Sequence, residues 1–387
     1  MLKTNDRNDP AETVTPMLRA GIIGCGDVAR QHMEGYLKSE RFEVVALADV
    51  SAQAMRGFDR RYAGSAAYHP QHFIDYKELL KQANPEVVSV CVWDKDHAAV
   101  AVAAAASGAK AIICEKPMAD SLGAAAEIIA ACRASGVKLV VGHQRRFLPS
   151  FNLAKRMIAD REIGDVRMMT AYAHDGLPNF SSHQTDIFRY LLGDVECTWV
   201  MGSVERETDR WARATRIEDK ALAAFGFASG AQAMIFLELT PEWGWTTRIY
   251  GTEGMIECGL TDVRVMNAKS RGWKVHEPAS EFARPGEDRF EYIEGNAAQA
   301  RELADWISGA APGHRGEAMN GYKALEMVHA VYESARTHTQ VWLPIKTRVN
   351  PLELMVAEGH LQVRYPGKYD VRARPPHSEA TEGLHNT

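Results

Sequence analysis

A glycine-rich turn set between an apolar run and a helical run constrains this chain more than any other feature. Gly24-Cys25-Gly26-Asp27-Val28-Ala29 fits G-x-G-x-x-A, directly after the apolar run 18–24 and opening a helical pattern over 28–38. Gly24 permits the tight turn, Gly26 lets a pyrophosphate approach the backbone, and small Ala29 lets helix and strand pack closely. The helix start at Asp27 and Val28 then offers unpaired N–H groups and a positive dipole end to phosphates. Further apolar runs at 43–48, 87–92, 111–114 and 138–141 alternate with helical patterns at 75–82, 97–107 and 122–135. Continuous apolar strands separated by helices form a parallel sheet covered on both faces, and right-handed crossovers make it doubly wound. Residues 17–148 therefore read as an α/β domain that binds a dinucleotide.

Asp49 narrows the nucleotide. It ends the second apolar run, 20 residues past Ala29, where a carboxylate accepts hydrogen bonds from both adenosine ribose hydroxyls. The same charge repels a 2′-phosphate, so NAD is expected ahead of NADP. Arg56, Arg60 and Arg61 follow closely and keep NADP open, although solvated helix charges are the plainer role for them.

After Pro149 the pattern changes. A helical stretch at 153–159 leads to a strand-like run at 166–174 and a helical patch at 185–192. Strand patterns then crowd together at 197–204, 221–228, 232–239, 246–251 and 262–266, with turn signals such as Ala228-Ser229-Gly230. Such a series forms a large, mostly antiparallel open sheet. Late helices at 296–307 and 317–335 would cover one face, making 149–345 an α+β domain. Residues 346–387 are a C-terminal extension, polar and loose from Pro376 onward. Its stretch 346–374, with Tyr365-Pro366-Gly367, is open as an arm around a neighbouring subunit.

Composition excludes several function classes. The 387 residues suit about two domains, and 45 Lys plus Arg against 50 Asp plus Glu leave a net charge of −5. That balance argues against nucleic-acid binding, and no amphipathic pattern argues for a membrane surface. The six cysteines are widely spaced without a C-x-x-C pair, so neither disulfides nor a zinc site is expected, and no metal. Residues 1–17 lack a signal-peptide core, and the most apolar stretch, 98–106, is too short to span a bilayer. A cytoplasmic protein is expected.

A second signal lies where a doubly wound sheet places its ligand. Glu115-Lys116-Pro117 follows the run 111–114, and His97 sits in the segment Asp94-Lys95-Asp96-His97-Ala98-Ala99-Val100. Further along come Gly142-His143-Gln144-Arg145-Arg146-Phe147, His183-Gln184-Thr185-Asp186, Tyr250-Gly251-Thr252-Glu253-Gly254 and Tyr332-Glu333-Ser334-Ala335-Arg336. In this order and spacing, over about 18–345, the chain resembles the glucose–fructose oxidoreductase and inositol 2-dehydrogenase (Gfo/Idh/MocA) family.

The resemblance implies a Rossmann domain joined to a substrate domain whose open sheet serves oligomer contacts, as a dimer or tetramer. It implies a cofactor site of Gly24, Cys25, Gly26, Asp27, Val28, Asp49, Trp93, His97, Glu115, Lys116 and Gln144. Lys116 would reach both the nicotinamide ribose and the substrate, aimed by a cis peptide that Pro117 invites. His183 would take the hydroxyl proton, and Lys116, Arg146, Asn179, His183 and Asp186 would meet the substrate. One departure stands out. Many members carry D-x-x-x-H, whereas here the fourth residue before His183 is Asn179, which orients a hydroxyl but accepts no proton. Asp186, one helical turn on, is open as the group that orients His183, and Asp175 as a replacement carboxylate. Arg146 either binds substrate or bridges the domains, and Trp243 and Trp245 either lie on a sugar face or pack a sheet.

The expected activity is hydride transfer between NAD and a secondary alcohol of a sugar, sugar derivative or cyclitol. An NAD-retaining glycosidase or lyase working through a transiently oxidised sugar is the alternative, and a non-catalytic nucleotide-binding protein is a further one.

Overall fold

The computed structural model describes residues 16–240, 245–283 and 291–371. The first part alternates β1 (Leu18–Ile23), α1 (Asp27–Ser39), β2 (Phe42–Ala48), α2 (Ala52–Tyr62), β3 (Tyr68–Phe73) and α3 (Tyr76–Gln82). It continues through β4 (Val87–Val90), α4 (His97–Ala105), β5 (Ala111–Cys114), α5 (Leu122–Ser135) and β6 (Lys138–Val141). The six strands form one parallel sheet in the order β3-β2-β1-β4-β5-β6. Its chain-order reversal falls between β1 and β4, so the loops after those strands open the crevice where such sheets bind ligands.

Two elements escaped the periodicity. In β3, Tyr-His-Pro-Gln-His-Phe buries only its first and last residues, because it is an edge strand, where a proline costs no ladder bond. Helix α2 buries Met55, Phe58 and Tyr62, spaced three and four apart, behind a Ser51 cap that accepts from the Ala54 N–H. Its apolar stripe is narrow, and its charged residues dominate the local composition.

The second part holds α6 (Pro149–Ala159), β7 (Val166–Ala173), α7 (Ser182–Leu191), β8 (Cys197–Glu205), β9 (Thr208–Ala212), β10 (Thr215–Arg216), β11 (Lys220–Phe227) and β12 (Gln232–Leu237). Then follow β13 (Thr247–Gly251), β14 (Gly254–Cys258), β15 (Val263–Asn267), β16 (Lys274–His276), α8 (Glu291–Ser308), α9 (Ala318–Thr337), β17 (Val341–Trp342), α10 (Pro351–Ala357) and β18 (Tyr365–Asp370). Nine strands form a sheet in the order β16-β15-β14-β13-β7-β12-β11-β8-β17, antiparallel except where β12 runs parallel to β7. Phe225, Ile235 and Ile249 on one face join Phe188 of α7 and Val331 of α9 in a shared core.

The late helices do more than cover that sheet. Ala300, Leu303 and Ala304 of α8 complete the core around Ala29, Met33 and Tyr36 of α1. Leu325 of α9 enters the core of the parallel sheet, while its Val328, Val331 and Tyr332 enter the other. The C-terminal segment folds back on its own chain. Leu352 and Met355 of α10 join the second core, and β18 pairs in parallel with β9 to give a small sheet β10-β9-β18. The loose tail expected from Pro376 lies outside the described residues. Among the described residues no helix is long and apolar enough to cross a membrane.

Candidate active site

At the end of β1, Gly24 has φ +90°, and a Cβ there would lie 2.6 Å from the Cys91 carbonyl oxygen. Only glycine fits. Gly26 differs: a Cβ there would meet nothing within 4 Å, so its backbone borders open space at the start of α1. No side chain caps that helix, which leaves its first N–H groups for an anion. Asp49, just past β2, accepts from Cys25 N (2.7 Å) and Ser51 N (2.7 Å), bracing the glycine turn from the adenosine side of the crevice. A cavity of about 460 Å³ runs from Gly26, Asp27 and Val28 past half-exposed Trp93 to His97 and Lys116. These residues fit a dinucleotide. Arg56 and Arg60 are exposed on α2, and Arg61 pairs with Glu34 (2.8 Å), as solvated helix charges do.

His97 and Glu115, both expected at the cofactor, line this cavity and also tie its loops together. Both ring nitrogens of His97 face carbonyls, Nδ1 that of Pro117 (3.0 Å) and Nε2 that of Val92 (3.1 Å), tying the loop after β4 to the loop after β5. Glu115 is buried in a polar chain beneath the site: Tyr36 Oη to Ser89 Oγ (2.7 Å), Ser89 Oγ to His32 Nδ1 (3.0 Å), His32 Nε2 to Glu115 Oε1 (2.8 Å). Burial alone would raise the Glu115 pKa, but the His32 hydrogen bond and the charges of His32 and Lys116 hold it below the usual range. Gly142 is required opposite, since a Cβ there would collide with the Glu115 carboxylate.

Lys116 follows at the carboxyl end of β5, joined to Pro117 by a cis peptide. Its Nζ donates to the Asn179 carbonyl oxygen (2.9 Å). Asn179 lies in a π-helical turn, Leu177–Ser181, that feeds α7, and His183 stands in the first turn of α7. One short segment therefore brings the lysine and the histidine together. The His183 ring is buried beside Tyr292 (6.3 Å, stacked), Phe180 (6.5 Å) and His143 (5.9 Å), and its Nδ1 has no hydrogen-bond partner. Burial, then the charge of Lys116, then Arg145 and His143, push its pKa well below the ordinary imidazole value. At neutral pH it is a neutral acceptor.

Asp186, open as the group that orients His183 or as a plain helix charge, meets Arg146. Its carboxylate receives Arg146 Nε at 2.9 and 2.8 Å and lies 3.6 Å from His143 Nδ1. Arg146, fully buried, also donates to Asp194 (2.8 and 3.2 Å) and to the Arg315 carbonyl (3.1 Å). These bonds tie the loop after β6 to α7 and to the loops at Asp194 and Arg315. Asp175 pairs with His174 (3.0 Å) and Arg210 (3.7 Å). Gln144 is buried with its Oε1 unpartnered. Trp245 packs on Phe180 (5.1 Å) and Tyr292 (5.8 Å), and Trp243 lies outside the described residues.

His143, Arg145 and Tyr292 were missed. The first two stand inside a quoted motif, but adjacent arginines look alike in sequence, and only the fold separates the paired one from its neighbour. Tyr292 comes from α8 and carries no motif at all.

Comparison with known proteins supports this architecture. Residues 18–143 match the NAD-binding Rossmann fold of an oxidoreductase family, and residues 175–345 match that family's C-terminal alpha/beta domain. Inositol 2-dehydrogenase 1 of Saccharopolyspora erythraea is 28% identical over 344 residues, 84% of this chain and 96% of that one. Myo-inositol 2-dehydrogenase of Thermotoga maritima is 26% identical over 256 residues, 62% of this chain and 74% of that one. A levoglucosan dehydrogenase solved with NADH and levoglucosan shares the fold, with a TM-score of 0.73 at 20% identity over 85% of this chain and all of that one. With both family domains matched in order and a glycine cradle open to a dinucleotide, this chain belongs to the Gfo/Idh/MocA oxidoreductase family, and its cofactor is NAD.

Proposed function

We propose that the protein oxidises a secondary alcohol of a sugar, sugar derivative or cyclitol. The observation that carries this reading is the meeting of Lys116 and His183 at the carboxyl edge of the parallel sheet, beside the glycine cradle. NAD, when bound, accepts the hydride from the carbinol carbon. His183, a neutral imidazole, accepts the hydroxyl proton as the hydride leaves. Lys116 supplies positive charge to the developing alkoxide oxygen, held toward it by the Asn179 carbonyl. The inositol and levoglucosan dehydrogenases above support polyhydroxylated rings as the substrate class. The Asp49 carboxylate at the end of β2 supports NAD over NADP. Exposed Met201 and Leu222 on the open face of the nine-stranded sheet support self-association through that face.

The test is reduction of NAD, then NADP, across a panel of sugars, glycosides and inositols, followed by near-ultraviolet absorbance. A steady rise with one polyol, faster with NAD, is expected. A flat trace over the whole panel, with NAD released from denatured protein, would replace net oxidation by the transient-oxidation lyase or glycosidase.

A further inference from the structure

Arg145 is a cation that no carboxylate among the described residues neutralises. It is 0% exposed, like its neighbour Arg146, but where Arg146 meets two carboxylates Arg145 meets none among the described residues. Its Nη2 donates to Tyr292 Oη (3.2 Å), and its Nε and Nη1 have no acceptor. The guanidinium lies against the rings of Phe180 (5.1 Å) and Trp245 (5.3 Å), which recover only part of the hydration a buried charge loses. Phe180 and Tyr292 also flank His183, so the unsatisfied cation stands one side chain away from the group that takes the substrate proton. Of the described carboxylates named above, Glu115 is committed to His32 and Asp186 to Arg146, and Asn179 brings no charge.

A buried guanidinium with two of its nitrogens left without acceptors is what a site built for an anion looks like before the anion arrives. We propose that Arg145 receives an anionic substituent of the substrate, a carboxylate or a phosphate ester, so that the substrate is a sugar acid or sugar phosphate and not a neutral polyol. This rests on the dehydrogenase reading above and narrows it. Entry requires Trp245, the partly exposed member of the cage, to turn aside.

Calorimetric titration of the NADH-loaded protein tests it, with D-glucuronate, D-glucose 6-phosphate, D-glucose and myo-inositol as probes. At least one anion is expected to bind tenfold or more tightly than D-glucose, the uronate marking a carboxylate site and the phosphate an ester site. In Arg145→Met that preference is expected to fall within twofold while NADH affinity is unchanged, and Arg145→Lys is expected to keep part of it. Equal binding of anions and neutral sugars, no binding of any probe, or a preference that survives Arg145→Met would overturn the proposal. Should Arg145→Met fail to fold, the comparison in unaltered protein still decides. NAD reduction measured in parallel separates the two readings. Arg145-dependent binding without turnover of any probe would sink the dehydrogenase and keep the anion site, and turnover of a neutral polyol without anion preference would do the reverse.

Discussion

At the scale of single residues, proximity and charge decide what the site does. If His183 accepts the proton and Lys116 steadies the alkoxide, Lys116→Met and His183→Ala each lower kcat by about 100-fold or more, the usual scale for such groups. Steady-state rates near those of the unaltered protein would remove the residue concerned from the mechanism. The pH profile carries a second prediction. An imidazole stops accepting protons below its pKa, and the His183 value is depressed, so kcat/KM holds as pH falls below the ordinary value of about 6.5. An acid limb at or above that value in the free enzyme would contradict the buried, cation-flanked setting. Sequence made Lys116 and His183 legible because they sit in spaced motifs. It left Asp186 open between orienting His183 and a plain helix charge, and its carboxylate pairs with Arg146, delivered by a short 3-10 turn that no period signals.

At the scale of elements, the opening strand, turn and helix separate two glycines by function. Gly24 has left-handed backbone and a carbonyl within 2.6 Å of any Cβ, so Gly24→Ala destabilises the fold by more than about 1 kcal/mol. Gly26 has room for a methyl group on the cradle side, so Gly26→Ala leaves the melting temperature nearly unchanged and weakens NADH about tenfold or more. Thermal denaturation and NADH fluorescence titration on both variants check the contrast; equal effects on stability would erase it. Elements with a continuous apolar run or a clear cap were readable, as in α5, whose Ser121 cap and Gly136 terminus bound Leu122–Ser135 as expected. The hairpin β9–β10 was not. Its burial comes from pairing with β18, more than a hundred residues later, and from the Thr215 hydroxyl on Asp94 (2.5 Å), contacts invisible to local pattern.

At the scale of the whole molecule, the buried histidines set a pH limit on stability. His143, His183, His314 and His329 are all held below the ordinary imidazole value, burial being the leading cause, and that of His329 is pushed down to about 4. The unfolded chain then binds protons that the folded one refuses, so stability falls as pH drops below about 6.5. His329 alone accounts for about 3 kcal/mol lost by pH 4. Urea unfolding at pH 7 and pH 5 measures the slope, and His329→Leu should flatten it; an unchanged slope in that variant would place the loss elsewhere.

The packing of α8 on α1 sets an order of events during synthesis. A ribosome adding about 5–20 residues per second finishes β6 on the order of ten to thirty seconds before it finishes α8. Through that interval the nascent sheet carries its phosphate cradle but leaves Met33 and Tyr36 without their cover. The nucleotide-binding half is thus born sticky, and it becomes fit to leave the care of a chaperone only when the other half arrives to close it.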